Sequence, residues 1–170
     1  MAVGRSFGTV ESRRWEELKK KLRLSLEERA VLAEFLYGRF RNGAGILHLP
    51  VPLPNIADAV GLPEETTAKA LEGLQDKGLL VIDWDNSVIA CPEYWRHSQI
   101  HNGKQAIKIC RIILDLPDNT ATGPMLAFIE EEAERVRRDR PAKQREDGRT
   151  IDYAGWYDDV AGALRGFPPG

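Results

Sequence analysis

The stretch IADAVGLPEETTAKALEGLQDKGLL, residues 56–80, restricts the fold of this chain more than any other feature. Two runs with apolar residues at helical spacing flank the tripeptide Gly61-Leu62-Pro63. Glycine often ends a helix because it adopts the left-handed backbone without steric cost, and proline is favoured where a helix begins. The spacing therefore predicts a short helix capped by Asn55, a tight turn, and a second helix that runs to about Lys77.

The elements on both sides of this helix pair predict the rest of the fold. Ser25 and Glu28 have the spacing of a capping box and open a helix through Arg39. Three prolines in ILHLPVPLP limit that segment to an edge strand at 46–49. A hairpin follows in LLVIDWDNSVIACPEY, with Asp85-Asn86 at its turn. The sequence thus predicts a mainly α protein with a small β-hairpin wing (α+β), a winged helix-turn-helix with additional C-terminal helices.

Turn-forming residues and runs of charge divide the chain into five predicted segments. Proline, glycine and polar runs mark their boundaries. The segments are a basic N-terminal helix or arm at 1–24, a winged-helix domain at 25–118, a C-terminal helix at 119–140, a polar linker at 141–150, and a short amphipathic helix with a tail at 151–170.

Composition narrows the classes of function. The 170 residues carry a net charge of −2, so any contact with nucleic acid has to come from local concentrations of basic residues. No apolar run reaches the length of a membrane span or forms a signal peptide, and we expect a cytoplasmic protein. Cys91 and Cys110 lack the spacing of a zinc site. No catalytic or phosphate-binding motif occurs, which predicts a protein that is not an enzyme and uses no metal or cofactor.

The second helix of the pair carries an unexpected charge for a helix that reads DNA. The run EETTAKALEGLQDK contains four acidic residues against two lysines, so phosphates repel the helix as a whole. The first turns of a recognition helix meet base edges, and glutamate can accept a hydrogen bond from cytosine. Direct reading would then use Glu64, Thr66, Thr67 and Lys69. Alternatively, the acidic residues form a solvated face, and the helix is structural or meets a basic partner.

Basic residues elsewhere in the chain are candidates for contacts with DNA phosphates. Residues 1–24 hold seven basic residues against three acidic ones, although such a run more often forms the solvated face of a packed helix. Farther along the chain, three cations share one face of a predicted helix. The candidates for phosphate contact are Arg13, Arg14, Arg39, Arg41, Lys104, Lys108 and Arg111.

A family resemblance covers residues 7–118. Its elements are Trp15 ahead of the first helix, the core IADAVGLPEETTAKALEGLQDKGLL, the hairpin around Asp85, and the helix of NGKQAIKICRIILDLP. Together they resemble the N-terminal winged-helix domain of phage replisome organisers and DnaD-like replication initiators. Pro63 departs from this pattern, since a hydroxyl or acidic cap is expected at the start of the second helix.

The resemblance implies a function in replication. In that family the winged helix binds origin DNA or assembles into oligomers, and a separate C-terminal region engages the helicase machinery. Only about 50 residues follow the resembling part, which favours a stand-alone binding or assembly module. We expect a phage protein that binds duplex DNA and is linked to replication initiation. The alternative is a protein-interaction module that regulates or inhibits a host protein, with a replication protein or another host protein as partner.

The C-terminal aromatic residues bear on self-association. Trp156, Tyr157 and Phe167 lie in a short amphipathic segment that needs a surface to cover it. That surface is either the protein's own core or a second copy of the chain. A homodimer is therefore one of the expected assemblies.

Overall fold

The computed structural model describes residues 12–38, 40, 45–97, 103–139, 143–144, 150–151 and 162. Contacts divide the chain into two units. Unit 1 comprises residues 1–99 together with 119–121, and unit 2 comprises residues 100–118 and 122–170. The sequence instead places residues 100–118 within the winged-helix domain.

Unit 1 contains five helices and three strands among the described residues. They are α1 (Ser12–Lys21), α2 (Leu26–Leu36), β1 (Ile46–His48), α3 (Pro52–Val60), α4 (Glu64–Asp76), β2 (Val81–Asp83), β3 (Val88–Ala90) and α5 (Pro92–His97). The strands form one antiparallel sheet in the order β1-β3-β2. The predicted α+β class, mainly helical with a small antiparallel sheet, is confirmed.

Helices α2, α3 and α4 contact one another and enclose the core of unit 1. Leu32 and Phe35 of α2 are fully buried, as are Leu71 and Leu74 of α4 and Ile56 of α3. Their spacing of three or four residues along each helix places them on one face, as the sequence predicts. The sheet adds fully buried residues from β3, so the three helices and the sheet share one apolar interior.

The helix ends agree with the predicted capping signals in two places and differ in one. Ser25 and Glu28 form both hydrogen bonds of a capping box, and Gly61 ends α3 in the left-handed conformation at φ 69°. Helix α3, however, begins at Pro52 and not after Asn55. Proline at the first helical position has no N–H to leave unsatisfied, so the helix extends one turn earlier. The amide of Asn55 donates to the carbonyl of Val51.

Unit 2 contains α6 (Gly103–Leu114), α7 (Gly123–Asp139), β4 (Lys143–Gln144) and β5 (Thr150–Ile151). The β4 and β5 strands pair antiparallel inside and beside the segment that the sequence predicts to be a linker. Residues 141–150, PAKQREDGRT, are almost all polar and lack the apolar alternation that predicts a strand. The predicted amphipathic helix after residue 151 lies outside the described residues, apart from Gly162.

Candidate nucleic-acid interface

The outward face of α4 is acidic. Four of its exposed side chains are carboxylates, and one is a lysine: Glu64, Glu65, Glu72, Asp76 and Lys69. The Lys69 ammonium lies 2.8 Å from Oε1 of Glu65, and both side chains are largely exposed. Such a solvent-exposed pair adds little stability, but it offsets the positive charge that DNA phosphates would meet. The face therefore repels a polyanion along its length.

Thr67 does not belong to this face, and its predicted role in reading bases is wrong. Its side chain is fully buried, and its hydroxyl donates to the carbonyl of Pro63 at 3.0 Å. Thr67 lies on the inner face of α4 together with Ala70, Leu71 and Leu74, which are also buried. Spacing from those residues would have placed Thr67 inside from the sequence alone. Thr66 is half-buried, so Glu64 and Lys69 are the fully exposed members of the predicted reading set on α4.

The turn between β2 and β3, residues 84–87, carries no lysine or arginine. Trp84 is 45% exposed, and Asp85 and Asn86 are exposed beside it. Ser87 takes the left-handed backbone at φ 55°, where the sequence favoured Asp85-Asn86 for that conformation. A turn of this composition offers an aromatic ring and a negative charge, and it cannot neutralise phosphates.

Asp83 holds this turn in place and ties it to a distant segment. One carboxylate oxygen accepts the backbone N–H of Asn86 at 3.0 Å. The other oxygen accepts the side-chain amide of Asn86 at 2.9 Å and the backbone N–H of Thr120 at 2.8 Å. The Thr120 backbone bond is the main reason that the pKa of Asp83 falls to about 2, with the Asn86 bonds contributing next.

We expect Asp83→Asn to lower the melting temperature at pH 7, because an amide cannot accept all of these bonds. A lowered pKa in the folded state means that the carboxylate contributes stability above about pH 3.8 and loses it as pH falls through about 2. The difference in melting temperature between the wild type and Asp83→Asn should therefore shrink between pH 4 and pH 2. Thermal unfolding at pH 7, 4, 3 and 2 measures this difference. Asp85→Asn, an exposed carboxylate of the same turn, should leave the melting temperature unchanged.

Among the described residues of unit 1, exposed cations are concentrated at the end of α1. Lys20, Lys21 and Arg23 are exposed, while Lys19 pairs with Glu16 and lies 5.6 Å from the ring centre of Trp15. Trp15 in turn contacts Tyr37 edge-to-face at 6.0 Å, which fixes α1 against the end of α2. The side chains of Arg13 and Arg14 lie outside the described residues, as do Arg39 and Arg41.

The predicted basic stripe on α6 is only partly described. Lys108 and Arg111 are exposed neighbours one turn apart, whereas the side chain of Lys104 lies outside the described residues. Ile107 and Ile112 flank the two cations. The predicted site residues that lie on described elements belong to three helices, α1 and α4 in unit 1 and α6 in unit 2.

No protein-family model matches the chain, and no curated protein or solved structure is significantly similar to it. Functional proposals therefore depend on the contacts, burial and charges of the described residues.

Both thiols are buried and protonated at neutral pH. Burial raises the pKa of Cys91 to about 12 and that of Cys110 to about 11. Cys110 lies in the core, as the sequence predicts. Within the described ranges, no three His, Cys, Asp or Glu side chains come close enough to hold a metal ion. The helices of the same ranges are too short or too polar to cross a membrane.

Proposed function

We propose that this chain is a non-catalytic winged-helix protein that binds duplex DNA, of phage type and linked to the initiation of replication. One observation carries the proposal: the order α2, β1, α3, α4, β2, β3 together with the strand order β1-β3-β2. A three-helix core whose last two helices form a helix-turn-helix, followed by a hairpin that pairs with an earlier strand, is typical of winged-helix proteins and supports this part of the proposal. The phage and replication parts of the proposal depend on the resemblance of residues 7–118.

The charge of α4 determines how such a protein would hold DNA. Because the exposed face of α4 is acidic and Thr67 is buried, contacts with phosphates come from other elements. Lys20, Lys21 and Arg23 at the end of α1 offer exposed positive charge within unit 1. Phosphate contacts supply affinity without sequence preference, so binding is expected to depend steeply on salt and weakly on sequence.

We expect Lys20→Glu/Lys21→Glu to weaken the binding of a random 20-base-pair duplex by roughly 10- to 100-fold at 100 mM salt. Each lost phosphate contact also lowers the slope of log affinity against log salt by about 0.9. A mobility-shift titration at several salt concentrations measures both quantities.

Lys69→Glu is the matched control on α4. If α1 holds the phosphates, this variant binds DNA nearly as well as the wild type. A larger loss for Lys69→Glu than for the α1 double variant would show that α4 is the reading helix. No shift by the wild-type protein on duplex DNA at low salt would contradict the proposed function.

The second candidate is a protein-interaction module, which the acidic face of α4 favours. The β2–β3 turn adds a 45% exposed tryptophan, and tryptophan is enriched where binding energy concentrates in protein interfaces. A partner with a basic surface would complement these residues. The absence of any DNA shift, together with capture of a basic protein that Glu64→Lys/Glu65→Lys abolishes, would select this function over the first.

A further inference from the structure

Among the described residues of unit 1, three helices end with the same backbone motif. A residue with positive φ follows each helix, and the N–H of the leucine after it donates to a carbonyl five residues back. This bond satisfies a carbonyl that the helix leaves free, and it is typical of the Schellman motif. The residues with positive φ are Arg23 after α1, Gly61 after α3 and Gly78 after α4. The bonds join Leu24 to Lys19, Leu62 to Ala57 and Leu79 to Leu74.

Arg23 is the exception among these three positions. Its φ is 48°, and a left-handed backbone brings the Cβ atom of an L residue close to the following carbonyl oxygen. Glycine adopts the same conformation without this cost. A cation near the end of a helix interacts favourably with the helix dipole, but Lys19, Lys20 and Lys21 already provide that charge. Folding alone therefore favours glycine at position 23, as at positions 61 and 78.

Contacts on the C-terminal side of Arg23 hold its backbone in this conformation. Leu24 is buried, and its N–H donates to the carbonyl of Lys19 at 3.3 Å. The carbonyl of Leu24 accepts a hydrogen bond from Nε of Arg29 at 3.0 Å. An unfavourable backbone conformation persists only where the surrounding structure determines it, and such positions cluster at functional sites. The Arg23 side chain therefore extends from a backbone whose conformation is fixed.

The guanidinium of Arg23 is available to a ligand. The side chain is exposed, and it forms no ion pair or hydrogen bond in the part of the chain that the structure describes. The exposed carboxylate nearest to it in the sequence is Glu27, four residues on. Lys20 and Lys21 are also exposed and lie within three residues of it in the chain. Position 23 thus adds a third cation to the turn between α1 and α2.

We propose that position 23 is an arginine because its guanidinium binds a phosphate of the DNA backbone. This inference rests on the proposed DNA binding, and it names the residue on which that binding most depends. Two N–H groups of a guanidinium match two oxygens of one phosphate, whereas a lysine ammonium acts as a point charge. Arg23 therefore fixes the position of the phosphate, and Lys20 and Lys21 add charge beside it.

The test makes two measurements on four variants of the full chain. Urea unfolding followed by circular dichroism gives stability, and a mobility-shift titration of a random duplex at several salt concentrations gives affinity. Arg23→Gly removes the guanidinium and the cost of the left-handed backbone together. Arg23→Gln removes the charge but keeps a side chain on that backbone. Gly61→Arg places an arginine in the same conformation after α3, and Lys69→Gln removes an exposed charge from α4.

We expect Arg23→Gly to unfold at a urea concentration no lower than the wild type does, and to bind DNA roughly fivefold more weakly at 100 mM salt. Arg23→Gln should bind DNA as weakly as Arg23→Gly. Both should lower the slope of log affinity against log salt by about 0.9, which a residue with a purely structural role would not change. Gly61→Arg should unfold at a lower urea concentration, and Lys69→Gln should keep the affinity of the wild type for DNA.

Three results would overturn this proposal while the wild type still binds DNA. The first is wild-type affinity and salt slope for Arg23→Gln. The second is an equal loss of affinity for Lys69→Gln, which would make net charge the determinant of binding. The third is a less stable Arg23→Gly beside a fully stable Gly61→Arg, which would show that arginine serves the fold at position 23. If the wild type gives no shift on duplex DNA at low salt, the proposed function fails and this inference fails with it.

Discussion

Replacing Gly45 with alanine should lower the free energy of unfolding by about 3 kcal/mol. Gly45 has φ 64°, a backbone conformation that costs an alanine roughly 1–2 kcal/mol. A Cβ atom there would also lie 2.7 Å from Cβ and Cγ of Tyr94. Tyr94 is buried in α5, and the carbonyl of Gly45 accepts the N–H of Cys91 at 2.9 Å, so neither side can move freely. Urea unfolding followed by circular dichroism measures the loss.

Gly61→Ala separates the two contributions. Gly61 has φ 69°, nearly the same backbone conformation, but a Cβ atom there would meet nothing within 4 Å. This variant should therefore lose only the backbone cost of roughly 1–2 kcal/mol. Equal losses in the free energy of unfolding for Gly45→Ala and Gly61→Ala would mean that the contact between residue 45 and Tyr94 does not affect stability.

Glu28→Ala should destabilise unit 1 by a similar amount, about 3 kcal/mol, because Glu28 makes contacts of two kinds. Its carboxylate accepts the N–H of Ser25 at 3.0 Å within the capping box of α2. It also accepts the Lys77 ammonium at 2.5 Å, which joins the start of α2 to the end of α4. The Glu28 side chain is 10% exposed, so removing it leaves a gap as well as two unpaired donors.

Glutamine at position 28 distinguishes the cap from the ion pair. Glutamine still accepts the N–H of Ser25 but carries no charge for Lys77. We expect Glu28→Gln to cost about 1 kcal/mol, since Lys77 is 29% exposed and regains water. Lys77→Met should then add little in the Glu28→Gln background, measured as a double-mutant cycle in urea. Additive losses in that cycle would show that the two residues do not interact.

Gly73 leaves space for the Glu28 side chain against α4, although glycine has a low helix propensity. A Cβ atom on Gly73 would collide with Oε1 of Glu28. The other oxygen of that carboxylate is held by Ser25 and Lys77, so the side chain cannot simply swing away. A glycine inside α4 therefore permits the close approach of the two helices, at a propensity cost of about 1 kcal/mol.

Local signals in the sequence predict much of this structure. The capping box at Ser25 and Glu28, the left-handed Gly61, and the edge strand before the prolines each depend on residues within a few positions of one another. Each of these features is determined by neighbouring residues, so the sequence alone is sufficient to predict it. The start of α3 at Pro52 was missed because Asn55 offered a competing cap signal.

Contacts between residues that are far apart in the sequence are of a different kind. Glu28 meets Lys77 at a separation of 49 residues, and Asp83 meets Thr120 at a separation of 37. Nothing in the neighbouring residues specifies either partner, because the fold brings them together. The apolar lining beside Lys108 and Arg111 was likewise hidden, since a basic stripe in a sequence does not reveal which of its neighbours are already buried.

The bond between Asp83 and Thr120 has a consequence for where the molecule can be divided. Residues 119–121 belong to unit 1 although the helices on both sides belong to unit 2. A polypeptide cut after residue 99 would include the β2–β3 hairpin but lose two of the four donors to the Asp83 carboxylate, the N–H and the hydroxyl of Thr120. The shortest fragment from the N-terminus that retains every one of these donors extends through Thr120 and carries α6 with it.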